Sequence, residues 1–177
     1  GGMTNRNFKV TWSNESYVLR IPGNGTEGMI VRENEDYNSR LAYQLKITPE
    51  IFYLDVQSGV KLVRYIEGAE TLNNATIQYM NHIEKVIMVL RTLHTSGVRF
   101  NNDFNVFKEI EIYEELLGRV KGWMYEGYSE LRPSIFALAD RLNQLGVTLT
   151  PCHNDLVAEN FVKGLDGKIH LIDWEYS

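Results

Sequence analysis

The spacing of apolar residues changes period twice along this chain, and that change limits the fold more than any single residue does. At the front, Phe8, Val10 and Trp12, then Tyr17, Leu19 and Ile21, recur at every second position, the period that returns side chains to one face of a strand. In the middle, Ile77, Met80, Ile83, Ile87, Leu90 and Leu93 recur at three- and four-residue steps, the period of a helix face. Near the end, Phe161-Val162 and residues 169–172 are short apolar runs joined by Lys163-Gly164-Leu165-Asp166-Gly167-Lys168, whose Asp-Gly step signals a hairpin. A strand-rich front, a helical middle and a closing hairpin predict an α+β protein of separate lobes, not alternating βαβ units.

Finer signals place the elements. Ser13-Asn14-Glu15-Ser16 consists of residues that bond their own backbone, so it predicts the turn of the first hairpin. Residues 30–45, rich in Glu, Arg, Leu and Ala, read as a helix, followed by strands over 51–54 and 60–66 with Gly59 turning the chain between them. The helix over 77–93 stops near Gly97. Stripes at Ile110, Tyr113, Leu117 and Val120, and at Ile135, Leu138, Leu142 and Leu145, read as core faces, with Pro133 in a helix's first turn. No repeat, low-complexity segment or flexible linker is visible.

Composition removes several function classes. A chain of 177 residues with 44% hydrophobic content can bury a core of one domain or two lobes. The formal charge of -5 argues against a duplex nucleic-acid binder, which needs clustered Lys and Arg to displace counterions. One cysteine, Cys152, cannot close an intrachain disulfide, favours a reducing compartment such as the cytoplasm, and reads as a small buried hydrophobe. The longest apolar run, Val86 to Leu90, is far too short to span a bilayer, and no secretion signal is recognisable. A soluble, unsecreted protein without membrane insertion is expected.

The chemistry is written in His153-Asn154-Asp155-Leu156-Val157-Ala158-Glu159-Asn160 and, across the closing hairpin, Ile172-Asp173-Trp174-Glu175. An Asp and an Asn five positions on, with a second Asp at the return strand's end, form the set that phosphoryl transfer requires. One carboxylate receives the alcohol's proton, while an amide oxygen and another carboxylate hold Mg²⁺ on the phosphates. Asp155 is the candidate base, and Asn160 and Asp173 are the candidate metal ligands. The spacing fits a kinase catalytic loop, H-x-D-x-x-x-x-N, with Asn154 where protein kinases carry Arg. Any one element alone reads as a polar turn or a strand cap; their conjunction favours chemistry.

Other candidates are weaker. Gly1-Gly2-Met3-Thr4-Asn5 either lets backbone N–H groups approach phosphates or begins with a cloning scar before Met3; these residues alone leave both open. Arg20, in the second strand, stands where a kinase carries the cation for the α- and β-phosphates, and a guanidinium can clamp phosphate in two-pronged fashion. Glu35, on the following helix, either holds that cation or is one charge on a solvated face beside Glu33 and Asp36. His94 reads as a packing residue and His170 as solvent-facing.

Taken together, Gly1 to Asn5, Arg32-Glu33-Asn34-Glu35-Asp36-Tyr37-Asn38, Cys152-His153-Asn154-Asp155 with Asn160, and Leu171-Ile172-Asp173-Trp174-Glu175-Tyr176-Ser177 resemble the choline and ethanolamine kinases, especially the bacterial lic type. The resemblance implies native N-terminal glycines and a protein-kinase-like bilobal fold, with an N-lobe over 1–66 and a partial C-lobe over 67–177. It implies ATP and Mg²⁺ as cofactors and γ-phosphate transfer to choline. Thr4 and Asn5 would touch phosphate, Arg20 would replace the usual lysine and pair with Glu35, and Arg64, Tyr65 and Ile66 would offer backbone to adenine. Tyr176 would present a ring face to the quaternary ammonium. Members of the family continue beyond Asp-Trp-Glu-Tyr, so the chain is expected to be either a fragment or a protein whose remainder was not observed, and by itself to lack a complete substrate site. The rival acceptors are ethanolamine, an aminoglycoside or another small alcohol. A catalytically inactive nucleotide-binding regulator is the rival class, and the intact Asp155, Asn160 and Asp173 set argues against it.

Overall fold

In the computed structural model, which describes residues 5–23 and 30–177, Ser13 and Asn14 both take left-handed backbone angles (φ 51° and 64°). That is the geometry of a two-residue primed turn, and it joins β1 (Asn5–Trp12) to β2 (Glu15–Pro22). A helix α1 (Arg32–Gln44) follows, then β3 (Ile51–Leu54) and β4 (Lys61–Arg64). The four strands form one antiparallel sheet in the order β1-β2-β4-β3. Gly59 turns the chain into β4, as expected: its φ is +72°, and a Cβ there would lie 2.7 Å from Arg32 Nε. The strand expected over 60–66 ends at Arg64.

A second sheet, ordered β5-β6-β7, unites β5 (Glu70–Thr71), β6 (Phe161–Lys163) and β7 (Ile169–Leu171). β5 is too short to show a period. Leu171 N–H donates to Ile47 O at 2.8 Å and Leu72 N–H to Phe161 O at 2.9 Å, which stitches this sheet to the segment after α1. The core gathers Ala42, Ile47, Leu72, Leu93, Phe161, Leu171 and Trp174, and α2 (Met80–His94) packs against β7.

The helical stripes need correction. In α2 the buried positions are His82, Val89 and Leu93, with Val86 and Leu90 against the core, while Met80 and Ile87 are exposed. The period was right and the stripe held at Ile77, Leu90 and Leu93, while between them the inward face passes through His82, whose Nδ1 contacts Thr76 O at 2.8 Å, and through Val86 and Val89. His170, expected to face solvent, is half-buried.

Residues 103–149 form a separate compact unit from 1–102 with 150–177. It holds α3 (Val106–Arg119), capped by Asn105 Oδ1 on the N–H groups of Phe107 and Lys108, and α4 (Tyr128–Gln144). Glu114 takes Arg132 and Tyr128 as partners, and Phe107 meets Phe136. No residue of either helix is buried, against the expectation of core faces, since two helices offer too little surface to cover both stripes. Pro133 lies inside α4 rather than in its first turn, where it removes one helical hydrogen bond. No helix among the described residues is long and apolar enough to cross a membrane.

Candidate active site

β-strand alternation places Asn5, Asn7, Val18, Arg20, Lys61 and Val63 on one wall of a cavity of about 260 Å³. Ile66, Val162, Ile172 and Trp174 contribute to the rest. One end is apolar and the other carries charge. All these residues belong to the larger compact unit.

At the charged end, Glu35 is 1% exposed and gathers three cations. Arg20 Nη1 lies 2.6 Å from Oε1 and Nη2 donates to Oε2 at 2.8 Å; Arg32 Nη1 reaches Oε2 at 2.7 Å and Lys61 Nζ reaches Oε1 at 3.0 Å. Burial alone would raise the Glu35 carboxyl; Lys61, Arg20 and Arg32 outweigh it and bring it down to about 2. Burial lowers the Lys61 ammonium despite Glu35. The asymmetry follows from the count, for Glu35 faces three cations while Lys61 faces one bonded carboxylate and a neighbouring guanidinium. Glu35 is therefore no solvated surface charge. The Arg20–Glu35 pair expected from sequence forms, and Lys61 joins it unforeseen. Its one visible signal was a lysine in an otherwise apolar strand, Val60-Lys61-Leu62-Val63.

Glu175, its side chain 4% exposed, is a second hub that sequence reasoning missed. Its Oε1 accepts from Asn5 Nδ2 at 3.2 Å and Arg32 Nη1 at 2.7 Å and lies 3.2 Å from Arg20 Nη1. Asn5, expected in a loop before the first strand, instead opens β1 opposite Pro22 and is buried, its Oδ1 without a partner among the described residues. Extending the ladder by that pair is what draws it into the strand. Thr4 and the glycines before it lie outside the described residues.

The catalytic-loop residues converge. Asn160 Nδ2 donates to Asp155 O and to Asp155 Oδ2, both at 2.9 Å, so the amide's donor side is committed and its oxygen is turned from Asp155. His153 is fully buried, contacts Ile172 O through Nε2 at 2.9 Å, accepts from Asp155 N–H at Nδ1 (3.3 Å) and packs edge-on against Trp174. Burial lowers its pKa, which suits a neutral ring donating from one nitrogen and accepting at the other. Ile172 N–H in turn donates to Asn160 O at 2.9 Å. One histidine and one backbone bond thus hold the loop against the strand that ends at Asp173. Asn154 and Asp173 both adopt left-handed angles (φ 63° and 68°), a strain that clusters at functional turns.

Asp173 lines the cavity. Its side chain is 34% exposed, yet Oδ1 is buried without a hydrogen bond, since Arg20 Nη1 stands 3.6 Å away. Burial, then Glu175, raise its carboxyl to about 6 against the pull of Arg20. A buried carboxylate oxygen with no hydrogen bond among the described residues suits a hard divalent cation, which takes oxygen ligands. No cluster of three or more His, Cys, Asp or Glu occurs among the described residues; a magnesium ion that shares its shell with phosphates needs only one or two protein ligands.

Of the expected adenine segment, Arg64 N–H donates to Glu50 O and Tyr65 N–H to Ser16 O. The Arg64 side chain meets Glu15, Glu50 and the Phe52 ring. Tyr176 is 37% exposed, and its carbonyl accepts from Asn154 Nδ2 at 2.9 Å.

A strand cation paired to a helix carboxylate, ahead of a catalytic-type loop and an Asp-ended hairpin, makes this a protein-kinase-like fold. An aminoglycoside phosphotransferase shares it over 99% of this chain and 65% of its own, with a TM-score of 0.56 at 14% identity. Within that class, residues 1–177 match the choline/ethanolamine kinase family, and the chain belongs to it. Protein LicA of Haemophilus influenzae is 38% identical over 179 residues, covering 100% of this chain and 52% of its own. Choline kinase LicA of Streptococcus pneumoniae, also 38% identical, has a TM-score of 0.86 over 99% of this chain and 61% of its own; a LicA in complex with AMP gives 0.84. The chain therefore spans about half the length of the Haemophilus protein.

Proposed function

We propose that the intact protein transfers the γ-phosphate of ATP to the hydroxyl of choline. The observation that carries this reading is the joining of Asp155 and Asn160 to the segment that ends at Asp173, which lines the same cavity as Arg20 and Lys61, the two cations paired with Glu35. The apolar walls at Val18, Val63, Val162 and Ile172 take the base. The Arg64 and Tyr65 N–H groups are already bonded and Ile66 O accepts from Ala69 N–H, so the Ile66 N–H would read its edge. Arg20, held by Glu35, faces the phosphates. Mg²⁺ on Asn160 and Asp173 would neutralise charge developing on the transferred group. Asp155 orients the acceptor hydroxyl and takes its proton late, and Tyr176 offers a ring to the methylated ammonium. The lobes would meet near residue 66, and the single Cys152 agrees with a cytoplasmic setting.

Choline is favoured over ethanolamine or an aminoglycoside by the 38% identity to a protein named as a choline kinase. The test is a panel of alcohols with full-length protein and labelled ATP. Choline is expected to give the highest kcat/KM, and Asp155→Ala to lose at least about a hundredfold of turnover while ATP still binds. Preference for another alcohol would reassign the acceptor, and ATP consumption indifferent to every alcohol would leave a nucleotide-binding regulator.

A further inference from the structure

We propose that Lys61 is a second phosphate-binding cation, making the direct contact with the β- or γ-phosphate of the bound nucleotide that Arg20 is too fully committed to make alone. The inference rests on the nucleotide reading of the cavity and deepens it.

Arg20 and Lys61 are cross-strand partners in the β2–β4 register, so their side chains leave the same face side by side, and both line the cavity. Their commitments differ. A guanidinium has five N–H donors. Arg20 spends both terminal nitrogens on Glu35, adds Gly59 O at 3.2 Å and stands 3.2 Å from Glu175; only its Nε is without a partner, and that atom is buried. An ammonium has three donors, and Lys61 has one hydrogen-bond partner among the described residues, Glu35 at 3.0 Å. Lys61 is 7% exposed, so its charge is shielded from water and acts at full strength on whatever enters.

Charge balance points the same way. The cluster holds Arg20, Arg32 and Lys61 against Glu35, Glu175 and Asp173. A divalent ion on Asp173 would add its two charges to this balanced set and leave a net charge of +2 at the place where phosphates arrive. Arg32, bonded to Glu35 and Glu175, is not among the cavity-lining residues. Among the side chains, positive charge is then presented by Arg20 and Lys61, and Lys61 carries the spare donors.

The test compares ATP and AMP binding by calorimetry in the full-length wild type, Lys61→Met and Lys61→Arg, with melting curves to confirm folding. The expected result is a fall of at least about tenfold in the preference for ATP over AMP in Lys61→Met, with AMP affinity nearly unchanged and most of the preference restored by Lys61→Arg. An unchanged preference, or equal loss for both nucleotides, would overturn the proposal and leave Lys61 as a structural partner of Glu35. If Lys61→Met does not fold, the decision passes to the wild type. Its Lys61 ammonium resonance, assigned by its disappearance in Lys61→Arg, is expected to move with ATP and much less with AMP; equal movement refutes the contact. A wild type that binds neither nucleotide sinks the kinase reading itself, an outcome separate from any failure of Lys61.

Discussion

Glu35 shows how much a single carboxylate can decide. With Arg20, Arg32 and Lys61 around it, removal of its charge leaves buried cations uncompensated, and breaking such a pair costs about 3–5 kcal/mol. Glu35→Gln is expected to destabilise the fold by that order at pH 7, measured by urea denaturation. The pH dependence has a definite sign. The folded carboxyl titrates near 2, below its ordinary 4.5, so its contribution is complete above about 4.5 and is lost as pH falls toward 2. Wild type and variant should therefore converge in acid, and a gap that widens below pH 4.5 would contradict the assignment. At this scale the sequence was half legible. Arg20 and Glu35 could be paired by their places on a strand and the next helix, whereas Lys61 and Glu175 could not, because the contacts they make join segments far apart in the chain.

Among the elements, the staple between the catalytic loop and β7 has the clearest consequence. His153 is held by Ile172 O and Asp155 N–H, and a phenyl ring would keep its packing on Trp174 while losing both bonds. His153→Phe is expected to cost about 1–3 kcal/mol, visible in thermal melts, and to lower kcat more than it raises KM for ATP. Wild-type stability and turnover in that variant would mean that the loop needs no staple. Element types were legible from the apolar period in β1, β2 and α2, from composition in α1 and from the Asp-Gly step in the closing hairpin. Phase was legible in part: Ile77, Leu90 and Leu93 face the core as the stripe required, but His82, held by Thr76, was not foreseen, and the stripes of α3 and α4 could be counted but not assigned a cover. β5, only two residues long, left no trace to read.

For the molecule as a whole, Glu175 joins the opening of β1 and the start of α1 to the segment that follows β7. Glu175→Gln is expected to lower stability by about 3–5 kcal/mol and to speed amide exchange in β1 and β2. An exposed control pair, Glu70 with Lys163, should contribute less than about 1 kcal/mol when Glu70→Gln is made. Equal effects of the two substitutions would deny Glu175 its linking role. Asn5 and Arg32 are separated from that carboxylate by 170 and 143 positions. During synthesis the hairpin leaves the ribosome long before the carboxylate that Asn5 and Arg32 share, so the opening of β1 waits on a residue made much later. A nascent chain stalled before residue 175 should hold β1 and β2 only loosely.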